Sequence, residues 1–104
     1  MFDRFRRLKV FERQHLAFRQ PPLDCMVLIE IGYYQEQGSP LTVKRLLLLK
    51  LGAPATVLRH LQRLVRQGLV HKFQARHDGR VFQLELDAAV RRTYAKYLKL
   101  LSQL

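Results

Sequence analysis

A single cysteine, Cys25, stands among 104 residues. No disulfide can form within the chain, which excludes a disulfide-stapled secreted scaffold. Acidic side chains are also scarce, with 8 Asp and Glu against 19 Lys and Arg. They are too few and too dispersed for acid–base catalysis, and no Gly-rich phosphate loop or nucleophile motif occurs. An enzyme is not expected, nor is a cofactor. The histidines His15, His60, His71 and His77 are scattered. Only His71 and His77 are placed to approach across a hairpin, and without a Cys or carboxylate cluster they make no zinc site. No apolar run approaches the roughly 20 residues that a membrane span requires. Behind the charges of Met1-Phe2-Asp3-Arg4-Phe5-Arg6-Arg7 lies no apolar stretch or cleavage site, so a cytoplasmic location is the expectation.

What is abundant is positive charge. The formal net charge is +11, while hydrophobic residues make up 48% of the chain. That is the profile of one compact folded domain over residues 1–104. The excess suits a polyanion, because each neutralised phosphate releases condensed counterions. An anionic membrane surface competes for the same charge, so its placement matters.

Residues 2–19 read as a basic amphipathic helix, with Phe2, Phe5, Leu8, Phe11, His15 and Phe18 along a drifting apolar stripe. Pro21-Pro22 stops it. A second helix is expected over 22–37, with Pro22 in its first turn and Asp24 at its positive end. Leu23, Met26, Val27, Ile29, Ile31 and Tyr34 make it apolar nearly all round, as a central core helix is. Gly38-Ser39-Pro40 breaks the chain. Thr42 is placed to cap a third helix through Lys50, closed by Gly52. Pro54 opens a fourth that runs to Gln67 and ends at Gly68. Two short helices joined by a tight Gly-containing turn form a helix-turn-helix. Strands over 69–75 and 81–86 flank Asp78-Gly79, a strong hairpin signal. A closing helix over 88–103 aligns Val90, Tyr94, Tyr97, Leu98, Leu101 and Leu104. The fold class is therefore mainly α with a small β-hairpin, a winged helix-turn-helix with additional N- and C-terminal helices.

Charge is partitioned along this plan. Residues 21–41 hold no Lys or Arg, whereas 42–80 hold Lys44, Arg45, Lys50, Arg59, Arg63, Arg66, Lys72, Arg76 and Arg80 with Asp78 as the only acid. A helix-turn-helix and hairpin that form one basic block are what a DNA face requires. In the fourth helix Val57, His60, Leu61 and Leu64 share the inward face. The other face carries Ala55, Thr56, Leu58, Arg59, Gln62, Arg63 and Arg66. Arg59 is suited to guanine, Gln62 to adenine, and Ala55, Leu58 or the Thr56 methyl to a thymine methyl. Thr56, Arg63 and Arg66 are suited to phosphates, which position without reading sequence. Thr42 and Lys44, at the entry to the motif, belong to the same candidate surface. The tip Arg76-His77-Asp78-Gly79-Arg80 suits a minor groove, with Asp78 fixing the direction of Arg80 rather than touching DNA.

The stretch from Ala55 through Gly68-Leu69-Val70, followed by Asp78-Gly79-Arg80-Val81, resembles the recognition helix and wing of MarR-type winged-helix regulators. Leu41-Thr42-Val43 and Leu46 are similar to that family's entry to the motif. The resemblance covers roughly residues 22–87. It implies DNA binding through Thr56, Arg59 and Arg63 on the helix and Asp78 and Arg80 on the wing. It also implies dimerisation through the terminal helices. Departures exist: Leu86-Asp87-Ala88-Ala89 replaces the family's threonine-glycine after the wing, and four leucines, Leu46 to Leu49, stand where charges are usual.

Those four leucines cannot all enter one core from one helix. At least one is expected outside, against the N-terminal helix or a second copy. Two terminal helices with apolar faces lead to an expected two-fold homodimer that sets two recognition helices one DNA turn apart. The basic first helix has a rival reading as a membrane-surface anchor. Cys25, remote from any cation, reads as a small buried hydrophobe rather than a sensor. The expected function is sequence-specific double-stranded DNA binding as a transcription regulator. The alternative is a protein-interaction module that uses the leucines at 46–49.

Overall fold

A computed structural model describes residues 1–15 and 22–102. Residues 16–21 and 103–104, and the side chains of Phe11, Glu12, Arg13 and His15, lie outside that description. The expected run of the first helix to residue 19, most of its stripe beyond Leu8, and Leu104 fall there. The described elements follow as α1 (Phe2–His15), α2 (Leu23–Glu36), α3 (Val43–Leu48), α4 (Pro54–Arg66), β1 (Val70–Ala75), β2 (Asp78–Leu86) and α5 (Ala88–Ser102). The winged helix-turn-helix expected from the sequence is the fold observed, with a helix at each end.

Helix α2 is the hub, and α1, α3, α4 and β2 all pack on it. Its all-round apolar character explains this, since Val27, Ile29, Ile31 and Gly32 are buried. Pro22 is the extended residue just before the helix (φ −56°, ψ 136°) rather than part of its first turn. The Leu86 N–H of β2 donates to Gln35 Oε1 at 2.9 Å and ties the sheet to α2.

Helix α1 docks by shape and by charge. Phe2 is fully buried and lies against Gly32, where an added Cβ would stand 2.7 Å from the ring. Only glycine leaves room for that approach. Glu30, with 6% of its surface exposed, accepts from Arg6 Nε at 3.3 Å, and the same guanidinium lies 4.5 Å from the centre of the Tyr33 ring. Glu36 accepts the Phe2 N–H at 2.6 Å and the Met1 ammonium at 3.0 Å. Two donors at the start of α1 are therefore satisfied from α2.

Thr42 starts α3, its Oγ1 accepting the Arg45 N–H at 3.1 Å. The helix ends at Leu48, two residues earlier than expected. Lys50, not Gly52, takes the left-handed conformation after it (φ 56°), at a cost of about 1 kcal/mol. Leu46 is buried, Leu47 and Leu49 are half-buried, and Leu48 is 65% exposed. Helix α4 buries Val57, Leu61 and Leu64, as expected, whereas His60, expected on the same inward face, is only half-buried. Gly68 closes it at φ 76°, with the Leu69 N–H reaching back to the Leu64 carbonyl at 3.0 Å.

The hairpin pairs Val70 with Leu86, Lys72 with Leu84 and Gln74 with Phe82. Its reversal differs from the expectation. The turn is Arg76-His77, and Asp78-Gly79 lies on the returning strand, where Asp78 pairs with Ala75 across an irregular register. Gly79 is not left-handed, so the turn that an Asp-Gly pair would supply is not used. On the far side of β2 the Leu84 N–H donates to the Leu41 carbonyl at 2.9 Å, and Thr42 bridges Gln83. The entry to the helix-turn-helix is thus stitched to the wing.

Asp87 caps α5, accepting the Ala89 N–H at 2.9 Å, and accepts His71 Nε2 at 2.8 Å. Helix α5 has no fully buried residue. It rests on α1 through rings: Tyr94 lies 5.1 Å from Phe2 and 5.2 Å from Phe5, and Tyr97 stacks on Phe5 at 5.7 Å. Cys25 is half-buried, with Sγ 3.8 Å from the Tyr94 hydroxyl, so the expected full burial is not reached. Burial holds the Tyr94 phenol well above its ordinary pKa, with the Cys25 contact adding to it.

Candidate nucleic-acid interface

Helical spacing divides the outer face of α4 into two strips. Ala55, Arg59, Gln62 and Arg66 recur at i, i+4, i+7 and i+11, directly opposite the buried line of Val57, Leu61 and Leu64. All four are exposed. Thr56, His60 and Arg63 lie along one flank, and Leu58 and Val65 along the other. Leu58 and Thr56 are half-buried, and Leu58 packs against the core.

The three arginines of α4 are not equivalent. Arg63 forms an ion pair with Asp24 in the first turn of α2, and Asp24 also accepts a hydrogen bond from His60 Nδ1 at 2.6 Å. An ionised carboxylate can only accept, so that imidazole nitrogen carries the hydrogen. Burial pushes the Asp24 carboxyl up, but the His60 and Arg63 hydrogen bonds outweigh it, and the net pKa lies below 3.8. Among the described residues, no carboxylate lies within ion-pair distance of Arg59 or Arg66. Their charge is open to an outside partner, whereas that of Arg63 is largely met from within. The Asp24 clip was not foreseen. The sequence offers one hint, an acid in a segment free of cations and a His60 on the inward side of α4 in need of a partner.

On the other flank α4 meets the wing. Leu58, Leu61, Gln62, Val65, Arg66 and Lys72 line one concave groove. Lys72, counted in the basic block but not singled out by sequence, stands on the strand face that carries Val70, Leu84 and Leu86 inward. Its ammonium lies 4.7 Å from the centre of the Phe82 ring, which holds it at the rim. Strand alternation was the available signal: the core-facing row of β1 turns polar at Lys72, where the sheet passes the edge of the core.

At the hairpin tip Asp78 accepts the Arg80 N–H at 3.0 Å and lies 3.4 Å from Arg80 Nε. The Arg80 side chain is 94% exposed. The acid thus directs the guanidinium while leaving its outer edge free, as expected. Arg76 is exposed on the turn. Lys44 is exposed in the first turn of α3, and the Thr42 hydroxyl is committed to the cap. Arg45 leans over Tyr34, 5.3 Å from the ring centre. His71 faces Asp87 rather than His77. No helix of the described residues is long and apolar enough to cross a membrane.

This arrangement is the winged-helix fold of known regulators. The chain is similar to the solved structure of MarR, with a TM-score of 0.61 and 19% identity over 95% of this chain and 70% of that one. It is similar to the adhesin competence repressor AdcR from Streptococcus pyogenes, with a TM-score of 0.60 and 15% identity over 97% and 71% of the two chains. A mutant of S. aureus MepR gives a TM-score of 0.59 and 19% identity over 98% and 77%. No family model matches the chain, and no curated protein matches it in sequence. The likeness to these structures is one of fold.

Proposed function

We propose that the chain is a MarR-type transcription regulator that binds double-stranded DNA as a homodimer in the cytoplasm. One observation carries the reading. The exposed line Ala55, Arg59, Gln62 and Arg66 runs the length of α4 and, among the described residues, no carboxylate satisfies its cations. A major groove admits one helix, and Arg59 and Gln62 are the side chains to read base edges there. The Asp78-directed Arg80 and exposed Arg76 of the wing enter the neighbouring minor groove. Lys44, Thr42, Ala55, Thr56 and Leu58 flank these contacts. Helices α1 and α5, which leave Leu8, Tyr97 and Leu100 exposed, form the dimer seam. No catalytic role is assigned.

The interaction-module alternative needs a leucine patch on α3. Leu48 is the exposed member of the four, and its neighbours turn inward, which leaves that reading without its surface.

Selection of bound duplexes from a random pool, followed by fluorescence anisotropy on the winners, tests the proposal. A recurring palindromic sequence and a steep loss of affinity with salt are expected. Weak, salt-insensitive and sequence-blind binding would overturn it.

A further inference from the structure

We infer that the groove between α4 and the wing is a seat for one backbone phosphodiester of the DNA, shared by Arg66 and Lys72. The inference rests on the DNA-binding reading and adds to it a site with a defined occupant. Three features of the groove fit a nucleotide backbone. Its rim carries two cations from different elements, Arg66 from α4 and Lys72 from β1. Among the described residues neither cation has a carboxylate within ion-pair distance, and no acid lines the groove. Gln62, which stands on the reading line of α4, also borders the groove, so the seat is continuous with the base-reading surface.

The floor fits as well. Leu58, Leu61 and Val65 make it apolar. A free inorganic anion gains nothing from such a floor. A phosphodiester does, because the deoxyriboses on either side present C–H faces to it. The wing and the helix enter adjacent grooves of a duplex, and the strand that separates those grooves has to run between them. The Lys72 ammonium is held in place by the Phe82 ring, so less side-chain freedom is lost when it meets the phosphate.

The test is a double-mutant cycle of Lys72→Gln and Arg66→Gln, read by anisotropy on a fluorescein-labelled duplex of mixed sequence across a salt series. Both residues are exposed, and circular dichroism checks that the variants fold. If the two cations share one phosphate, the slope of log affinity against log salt falls by about 0.9 per protomer in the double variant. The single effects are then non-additive. A fall of about 1.8 with additive singles means two separate phosphates and overturns the shared seat. An unchanged slope in the variants, with a steep wild-type slope, places the backbone elsewhere and also overturns it. Absence of salt-dependent binding by the wild type would instead defeat the DNA reading itself.

Discussion

Asp24 and His60 meet across a 2.6 Å hydrogen bond that joins the first turn of α2 to the middle of α4. Arg63, one turn further along α4, closes on the same carboxylate. One side chain of the core helix therefore grips α4 through two residues three apart. The grip sits on the flank of α4, so the line of Ala55, Arg59, Gln62 and Arg66 is held in a fixed rotation toward solvent.

From that arrangement Arg63 and Arg66 should separate in experiment. Arg63→Ala is expected to lower fold stability by about 1 kcal/mol, as loss of a half-exposed pair does. It should change the salt slope of DNA affinity little. Arg66→Ala should leave urea unfolding unchanged and flatten the salt slope. Equal effects of the two on DNA binding, with no stability difference, would contradict the division.

In the proposed function, base reading falls to Arg59. Arg59→Ala is expected to cost roughly 1–3 kcal/mol on the selected site and to relax the preference at one base pair. Competition anisotropy against single-base variants of that site measures it. A uniform loss across all sequences would make Arg59 a phosphate contact instead.

Acid stability follows in part from two carboxylates beyond the exposed Asp3, whose pKa is also lowered. Asp24 lies below 3.8 because its hydrogen bonds outweigh the opposing effect of burial. Asp87 also lies below 3.8, chiefly through the His71 hydrogen bond and then through the Ala89 N–H. In both, the unfolded chain takes up the proton first. The stabilisation is complete above the ordinary carboxylate value and is lost as pH falls through the lower, folded values. Urea unfolding across this acid range should show the loss, and Asp24→Asn with Asp87→Asn should flatten it. A wild-type profile that the double variant reproduces would contradict the assignment.

Close packing of Phe2 on Gly32 gives a test of how α1 is held. Gly32→Ala should destabilise the protein by about 1–3 kcal/mol, because the buried ring has nowhere to move. In a Phe2→Ala background the same change should cost much less. Thermal unfolding of the four variants reads the coupling. Additive losses would mean that the ring and the notch do not meet.

The proposed dimer seam is tested by charge. Tyr97→Glu with Leu100→Glu places two carboxylates on the exposed apolar face of α5. Sedimentation equilibrium should find wild-type dimer and variant monomer. A variant that stays dimeric would place the seam elsewhere.

The helices and the wing were legible because their signals are local. Thr42 caps, Pro54 opens and Gly68 closes as their chemistry dictates. The rest was decided by local competition at the turns and by partners distant in sequence. Asp78-Gly79 looked like the turn, but Asp78 turns to Arg80 instead, and the reversal moves to Arg76-His77. Lys50 accepts a left-handed conformation that Gly52 was expected to supply, so α3 ends early. At the site, the exposed line of α4 could be read from helical periodicity. The engagement of Arg63 could not, because Asp24 is 39 residues away in sequence. Lys72 was likewise hidden, since its place beside α4 depends on how the sheet packs.

Hydroxyl-radical footprinting of the dimer on its selected duplex tests most directly whether α4 and the hairpin tip hold one molecule of DNA together. Protected sugars should fall in two blocks one helical turn apart, each flanked by a protected minor groove. Arg80→Ala should uncover that minor groove alone. A footprint confined to one short block, or one that Arg80→Ala leaves intact while Arg59→Ala erases nothing, would mean that these arginines do not face DNA.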